Sequence, residues 1–115
     1  MKLPLQISFH GIDHSDALYN AIRERAEKLD HYYPHIMSCR VVLELSARHK
    51  RQGKQYTVHI DLKVPGGEVV VNKEHDEDLQ IALRDAFDAA RRRLEDVVRE
   101  QRGDVKRHST PGASS

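Results

Sequence analysis

The sequence predicts an α+β fold in the order β-α-β-β-β-α, with a four-stranded sheet and two helices packed on one face of it. Three observations lead there. Three segments alternate apolar and polar residues with a period of two, the mark of half-buried strands. Two others repeat apolar residues every three or four positions, the mark of amphipathic helices. Each alternating strand has only one apolar face, so both helices have the same side of the sheet to cover.

The first strand places Leu3, Leu5, Ile7 and Phe9 on one face and Gln6, Ser8 and His10 on the other. Pro4 has no N–H to give, so this strand lies at an edge or pairs only beyond it. Gly11 breaks the run. Ser15 is the N-cap of the first helix, with Asp16 in the first turn where the helix dipole favours an acid. Leu18, Ile22, Ala26 and Leu29 form its buried stripe, and Pro34 stops it around Asp30 to Tyr33. If the strands on either side of this helix are parallel neighbours, the crossover is right-handed.

The second strand turns Cys39, Val41, Leu43, Leu45 and Ala47 inward, and the basic stretch His49 to Lys54 follows as a hairpin loop. The third turns Tyr56, Val58, Ile60, Leu62 and Val64 inward. Pro65-Gly66-Gly67 makes a tight turn into a short, Val-rich fourth strand, Glu68 to Lys73. Asp76, Glu77 and Asp78 open the last helix, one as its cap and the others favoured by the dipole. Leu79, Ala82, Leu83, Ala86, Phe87, Ala90, Leu94, Val97 and Val98 give it a long apolar stripe, and Gly103 is the expected stop. Residues 1–102 therefore make one folded domain, and 103–115, without periodicity, a disordered tail.

Composition narrows the class. A chain of 115 residues with 38% hydrophobic and 32% charged residues has the balance of a single globular domain. No apolar run approaches the roughly 20 residues of a membrane span, and the N-terminus lacks the continuous apolar core of a signal peptide. A single cysteine excludes an internal disulfide framework and a cysteine-based zinc cluster. These features describe a cytoplasmic-type protein with no membrane association.

Convergent catalytic groups are missing, so no enzymatic activity is expected. Cys39 lies on an inward strand face, where a small buried hydrophobe is the natural reading. Gly66-Gly67 joins two strands and is too short to cradle a phosphate. Eight histidines prompt a metal test. His31 and His35 have the spacing of two ligands on one helical face, but Pro34 between them ends the helix. Spacing leaves open a site from His10, His59 and His75; surface and loop histidines are the plainer reading, and neither metal nor cofactor is expected.

Net charge is only +1, from 19 Lys and Arg against 18 Asp and Glu, so attraction to a polyanion must come from where the charges sit. Arg25 and Lys28 share one side of the first helix. On the last helix Arg84, Arg91 and Arg102 fall within about 20° of one line, with Arg92 and Arg99 on the adjacent row. If the helices pack side by side, these flanks form one basic strip able to meet RNA phosphates. Asp88 before Arg92 and Glu95 before Arg99 have the acid-first i, i+4 order of helical ion pairs. On charge alone, a self-paired solvated face and an RNA-binding face both remain open. Tyr32 and Tyr33 suit either core or helix-end packing.

Four motifs, in order, resemble the short ribosome hibernation promoting factors, also called ribosome-associated inhibitor A or protein Y. They are Ser15-Asp16-Ala17-Leu18 at a helix start, Lys28-Leu29-Asp30-His31-Tyr32-Tyr33 at its end, Val64-Pro65-Gly66-Gly67-Glu68 at a hairpin, and Asp78-Leu79 with Ala82 entering the last helix. The likeness runs from about Leu5 to Arg102. It implies a double-stranded-RNA-binding-like fold and a place on the small ribosomal subunit, bound to its rRNA in the channel used by mRNA and tRNA. There the protein would compete with both and silence idle ribosomes. The free protein is expected to be a monomer. Longer relatives add a second C-terminal domain, for which 115 residues leave no room. By position the family's rRNA contacts fall on Arg25, Lys28 and Arg92. The chain departs from the family where Glu95 and Asp96 interrupt the basic run and where Ala89 replaces a usual Lys. Arg84, Arg91, Arg93, Arg99 and Arg102 offer cations on neighbouring rows. A general double-stranded-RNA or protein-binding module that does not act on ribosomes is the alternative.

Overall fold

The computed structural model describes residues 3–47, 54–76 and 78–109. Its elements run β1 (Leu5–His10), α1 (Asp16–Tyr32), β2 (Ser38–Ala47), β3 (Lys54–Val64), β4 (Gly67–Asp76) and α2 (Leu79–Ser109), the predicted order. The sheet order is β1-β2-β3-β4. β1 pairs in parallel with β2, Leu5 opposite Cys39, and the remaining pairs are antiparallel. Parallel pairing of consecutive strands needs a crossover, and α1 is that crossover. Pro4 lies just outside β1, where its carbonyl accepts from the Cys39 N–H at 2.9 Å. A proline at this edge position costs no ladder bond.

One core lies between the sheet and the helices. Cys39, Val41 and Leu43 from β2, Val58, Ile60 and Leu62 from β3, and Val69 and Val71 from β4 are buried. They meet Ile22, Ala26 and Leu29 of α1 and Ala82, Leu83, Ala86, Phe87, Ala90 and Leu94 of α2. Leu5, Ile7 and Phe9 on edge strand β1 pack against this core only half-buried. α2 lies over β3 and β4, while α1 packs toward β1 and against α2. Ser15 caps α1, its Oγ accepting from the Leu18 N–H at 3.2 Å. Gly66 takes φ +87° in the turn between β3 and β4, a left-handed conformation that glycine adopts without strain.

Three expectations are corrected. β4 runs through Asp76, beyond the expected Lys73, because pairing with β3 continues to Gln55 opposite Asp76. Ladder hydrogen bonds outweigh the polar composition of those residues. Asp76 therefore ends a strand, and Asp78 alone is seen to cap α2, its Oδ1 accepting from the Ile81 N–H at 3.2 Å. Finally, α2 continues past Gly103 to Ser109, so a tail from 103 is replaced by helix over its first part. A glycine inside a helix costs about 1 kcal/mol relative to alanine, which neighbouring helix formers offset. The 48–53 part of the loop and residues 110–115 lie outside the described residues.

Candidate nucleic-acid interface

The core sets the rotation of both helices, and rotation decides which cations share a surface. On α1, Ile22, Ala26 and Leu29 point inward. At about 100° per residue, Arg25, Lys28 and Tyr32 then share one flank beside the buried line, Arg25 nearest to it and Lys28 farthest. Arg25 is half-buried, and Lys28 is exposed. On α2, Ala82, Ala86, Ala90 and Leu94 face the sheet. That turns the line of Arg84, Arg91 and Arg102 to one flank and Arg92 and Arg99 to the crest; all five are exposed.

One contact joins the two rows. The guanidinium carbon of Arg91 lies 4.7 Å from the centre of the Tyr32 ring, a cation–π contact between the last turn of α1 and the middle of α2. Beside it, Gln101 Nε2 donates to Tyr33 Oη at 3.4 Å. The two tyrosines divide the tasks that sequence left undivided: Tyr33 is 5% exposed and belongs to the core, whereas Tyr32 is 37% exposed. The two helices thus meet at Tyr32 and Arg91, and Tyr32 is a residue that charge patterning did not identify.

The ion pairs differ from those expected by spacing. Neither Asp88–Arg92 nor Glu95–Arg99 is among the ion pairs of the described residues. Glu95 instead reaches Arg91 at 3.7 Å, Asp96 meets Arg99 at 2.6 Å, and Asp85 meets Arg84 at 3.4 Å. A residue on a helix surface has several acids within reach at i±1, i±3 and i±4, and rotamers choose among them. All three pairs are exposed, so each contributes at most about 1 kcal/mol and is readily exchanged for a phosphate. Among the described residues, Arg25, Lys28, Arg92 and Arg102 have no ion-pair or hydrogen-bond partner. Arg93, proposed above as a compensating cation, turns away and donates to the Val70 carbonyl of β4 at 3.4 Å.

Elsewhere the chemistry is sparse. Burial, with Asp61 nearby, pushes the Cys39 thiol from its ordinary 9.0 up to about 12, which leaves it protonated and a poor nucleophile near neutral pH. Among the described residues no three His, Cys, Asp or Glu side chains converge as metal ligands. No helix among them is long and apolar enough to cross a membrane. A cleft of about 380 Å³ on the open sheet face is lined by Gln6, Ser38, Arg40, Asp61 and Lys63. Lys63 there is held charged, its pKa raised chiefly by its hydrogen bond to Glu68. A groove of about 430 Å³ runs between the β3–β4 turn and Val97, Glu100 and Gln101 of α2. Neither hollow is lined by any of the seven predicted site residues.

Comparison with known proteins agrees with this architecture. The chain is 31% identical over 81 residues to a ribosome hibernation promoting factor of Azotobacter vinelandii, covering 70% of this chain and 69% of that protein. A ribosomal subunit interface protein of Coxiella burnetii superposes with a TM-score of 0.69 at 16% identity, covering 83% of this chain and 97% of that one. The N-terminal domain of Thermus thermophilus protein Y superposes at 0.67 with 21% identity, covering 83% and 99%. At these identities the two structures establish a shared fold. Residues 5–102 match the family model of the sigma 54 modulation protein / S30EA ribosomal proteins, and with the curated relative this shows that the chain belongs to that family.

Proposed function

We propose that this protein is a ribosome hibernation factor that binds rRNA of the small subunit through the flanks of α1 and α2 and blocks the mRNA and tRNA channel by occupying it. It works by steric exclusion, with no chemical step. Family membership and the hibernation factor among its relatives support ribosome association. The observation that supports the proposed surface is the Tyr32–Arg91 contact between α1 and α2; Arg25 and Lys28 would act with Arg84, Arg91 and Arg102, and with Arg92 and Arg99, around it. Few aromatic residues line this surface, so phosphate contact and RNA shape provide most of the recognition.

Co-sedimentation with purified ribosomes across a salt series tests this reading. Near-stoichiometric binding is expected, weakening steeply with salt, since each neutralised phosphate adds about 0.7 to 0.9 to the log–log slope. Competition by mRNA and tRNA should accompany it. No binding at low salt, or equally tight binding to free duplex RNA, would favour a general RNA- or protein-binding module instead.

A further inference from the structure

We infer that Tyr32 is a stacking platform for one unpaired nucleobase, so that the surface takes up a base as well as phosphates. This rests on the proposed RNA-binding surface and adds to it a ligand chemistry that cations alone do not provide. Tyr32 and Met37 are the exposed large hydrophobic residues among the described part of the chain. Tyr33, the next residue, already fills the core position at the end of α1, so the core does not require an aromatic residue at 32.

The surroundings of Tyr32 suit a nucleotide. Arg91 lies over the ring at 4.7 Å, while 37% of the residue stays open to solvent. A ring steadied in this way loses little freedom when a planar group stacks on what is left exposed. Lys28 and Arg25 precede Tyr32 by one and two helical turns on the same flank, and neither has a partner among the described residues. A base on the ring would therefore have its neighbouring phosphates beside free cations. Every base has a π face, so such a site reads little sequence and instead requires a base that is out of its helix. Surface free of cations around the ring would have pointed to a protein partner; here the neighbours are cationic.

Two variants separate stacking from mere support of Arg91. Tyr32→Phe keeps the ring and Tyr32→Leu keeps apolar bulk without it; both sit at an exposed position and circular dichroism checks their fold. Ribosome affinity of Tyr32→Leu should fall about 5- to 100-fold with an unchanged salt slope, because stacking releases no counterions, whereas Tyr32→Phe should stay within about twofold. A second arm uses a single-stranded RNA 12-mer and the same strand with abasic positions. Wild type should prefer the intact strand, and Tyr32→Leu should lose that preference. Wild-type affinity in Tyr32→Leu overturns the inference. So does a loss accompanied by a slope smaller by about one, because then Tyr32 only positions Arg91. Failure of wild type to bind ribosomes, with base preference retained on the 12-mer, would remove the ribosomal reading and leave the stacking site standing.

Discussion

Arg91, Arg92 and Arg93 are identical side chains in a row, and the fold sends them to three different places. Arg91 lies over Tyr32 on the flank toward α1, Arg92 stands free on the crest, and Arg93 reaches the Val70 carbonyl on the flank toward β4. Each step along the helix rotates the side chain by about 100°, so α2 has one flank facing the other helix and one facing the sheet edge. The first flank carries Arg91 onto the end of α1. The second uses its arginine to cover backbone on an edge strand, a position where exposed carbonyls otherwise invite pairing with another chain. A count of basic residues cannot distinguish these uses.

The largest effect should come from disturbing what sets the rotation. Leu94 is fully buried beneath α2, and Leu94→Ala should cost about 2–5 kcal/mol in urea unfolding followed by circular dichroism. Retention of wild-type stability would mean that α2 is not anchored as described. Next, Arg25→Glu with Lys28→Glu should leave the fold intact and weaken ribosome co-sedimentation more than tenfold; a folded double variant that sediments normally would remove α1 from the interface. The sharpest test contrasts neighbours. Arg92→Ala should reduce the salt slope by about 0.7 to 0.9, while Arg93→Ala should leave it unchanged. Equal slopes for both would erase the distinction between the flanks. The smallest change is expected for Glu95→Gln, which frees Arg91 from an exposed ion pair. Stability should shift by less than about 1 kcal/mol and ribosome affinity should rise by a few-fold at most, measured in the same salt series.

Much of the fold was legible because its signals are local. Alternation marked β2 and β3 and showed which residues they bury, and the Ser15 cap and the stripe from Leu79 to Val98 marked the helices. The end of β4 was not legible, since His75 and Asp76 stay extended only through pairing with Tyr56 and Gln55 of β3. The continuation of α2 through Gly103 was missed for a related reason: glycine weakens a helix without dictating its end. Of the site, the helical phase of Arg84, Arg91 and Arg102 was readable, and the motif resemblance added Arg25, Lys28 and Arg92. The ion pairs were misassigned because spacing permits several acids for each arginine and only side-chain rotamers choose.

The sequence by itself determined which segments become strands and helices and which face each one buries. Periodicity and capping are properties of consecutive residues, and a single apolar face leaves little choice of side. Only the tertiary structure decided that Tyr32 and not Tyr33 is the exposed aromatic, that it meets Arg91, and that Arg93 leaves the basic strip for the sheet edge. Those outcomes depend on how far α1 is turned and where it lies against α2. That geometry follows from the parallel pairing of β1 with β2 and from packing over one shared core, which bring together residues far apart in the chain.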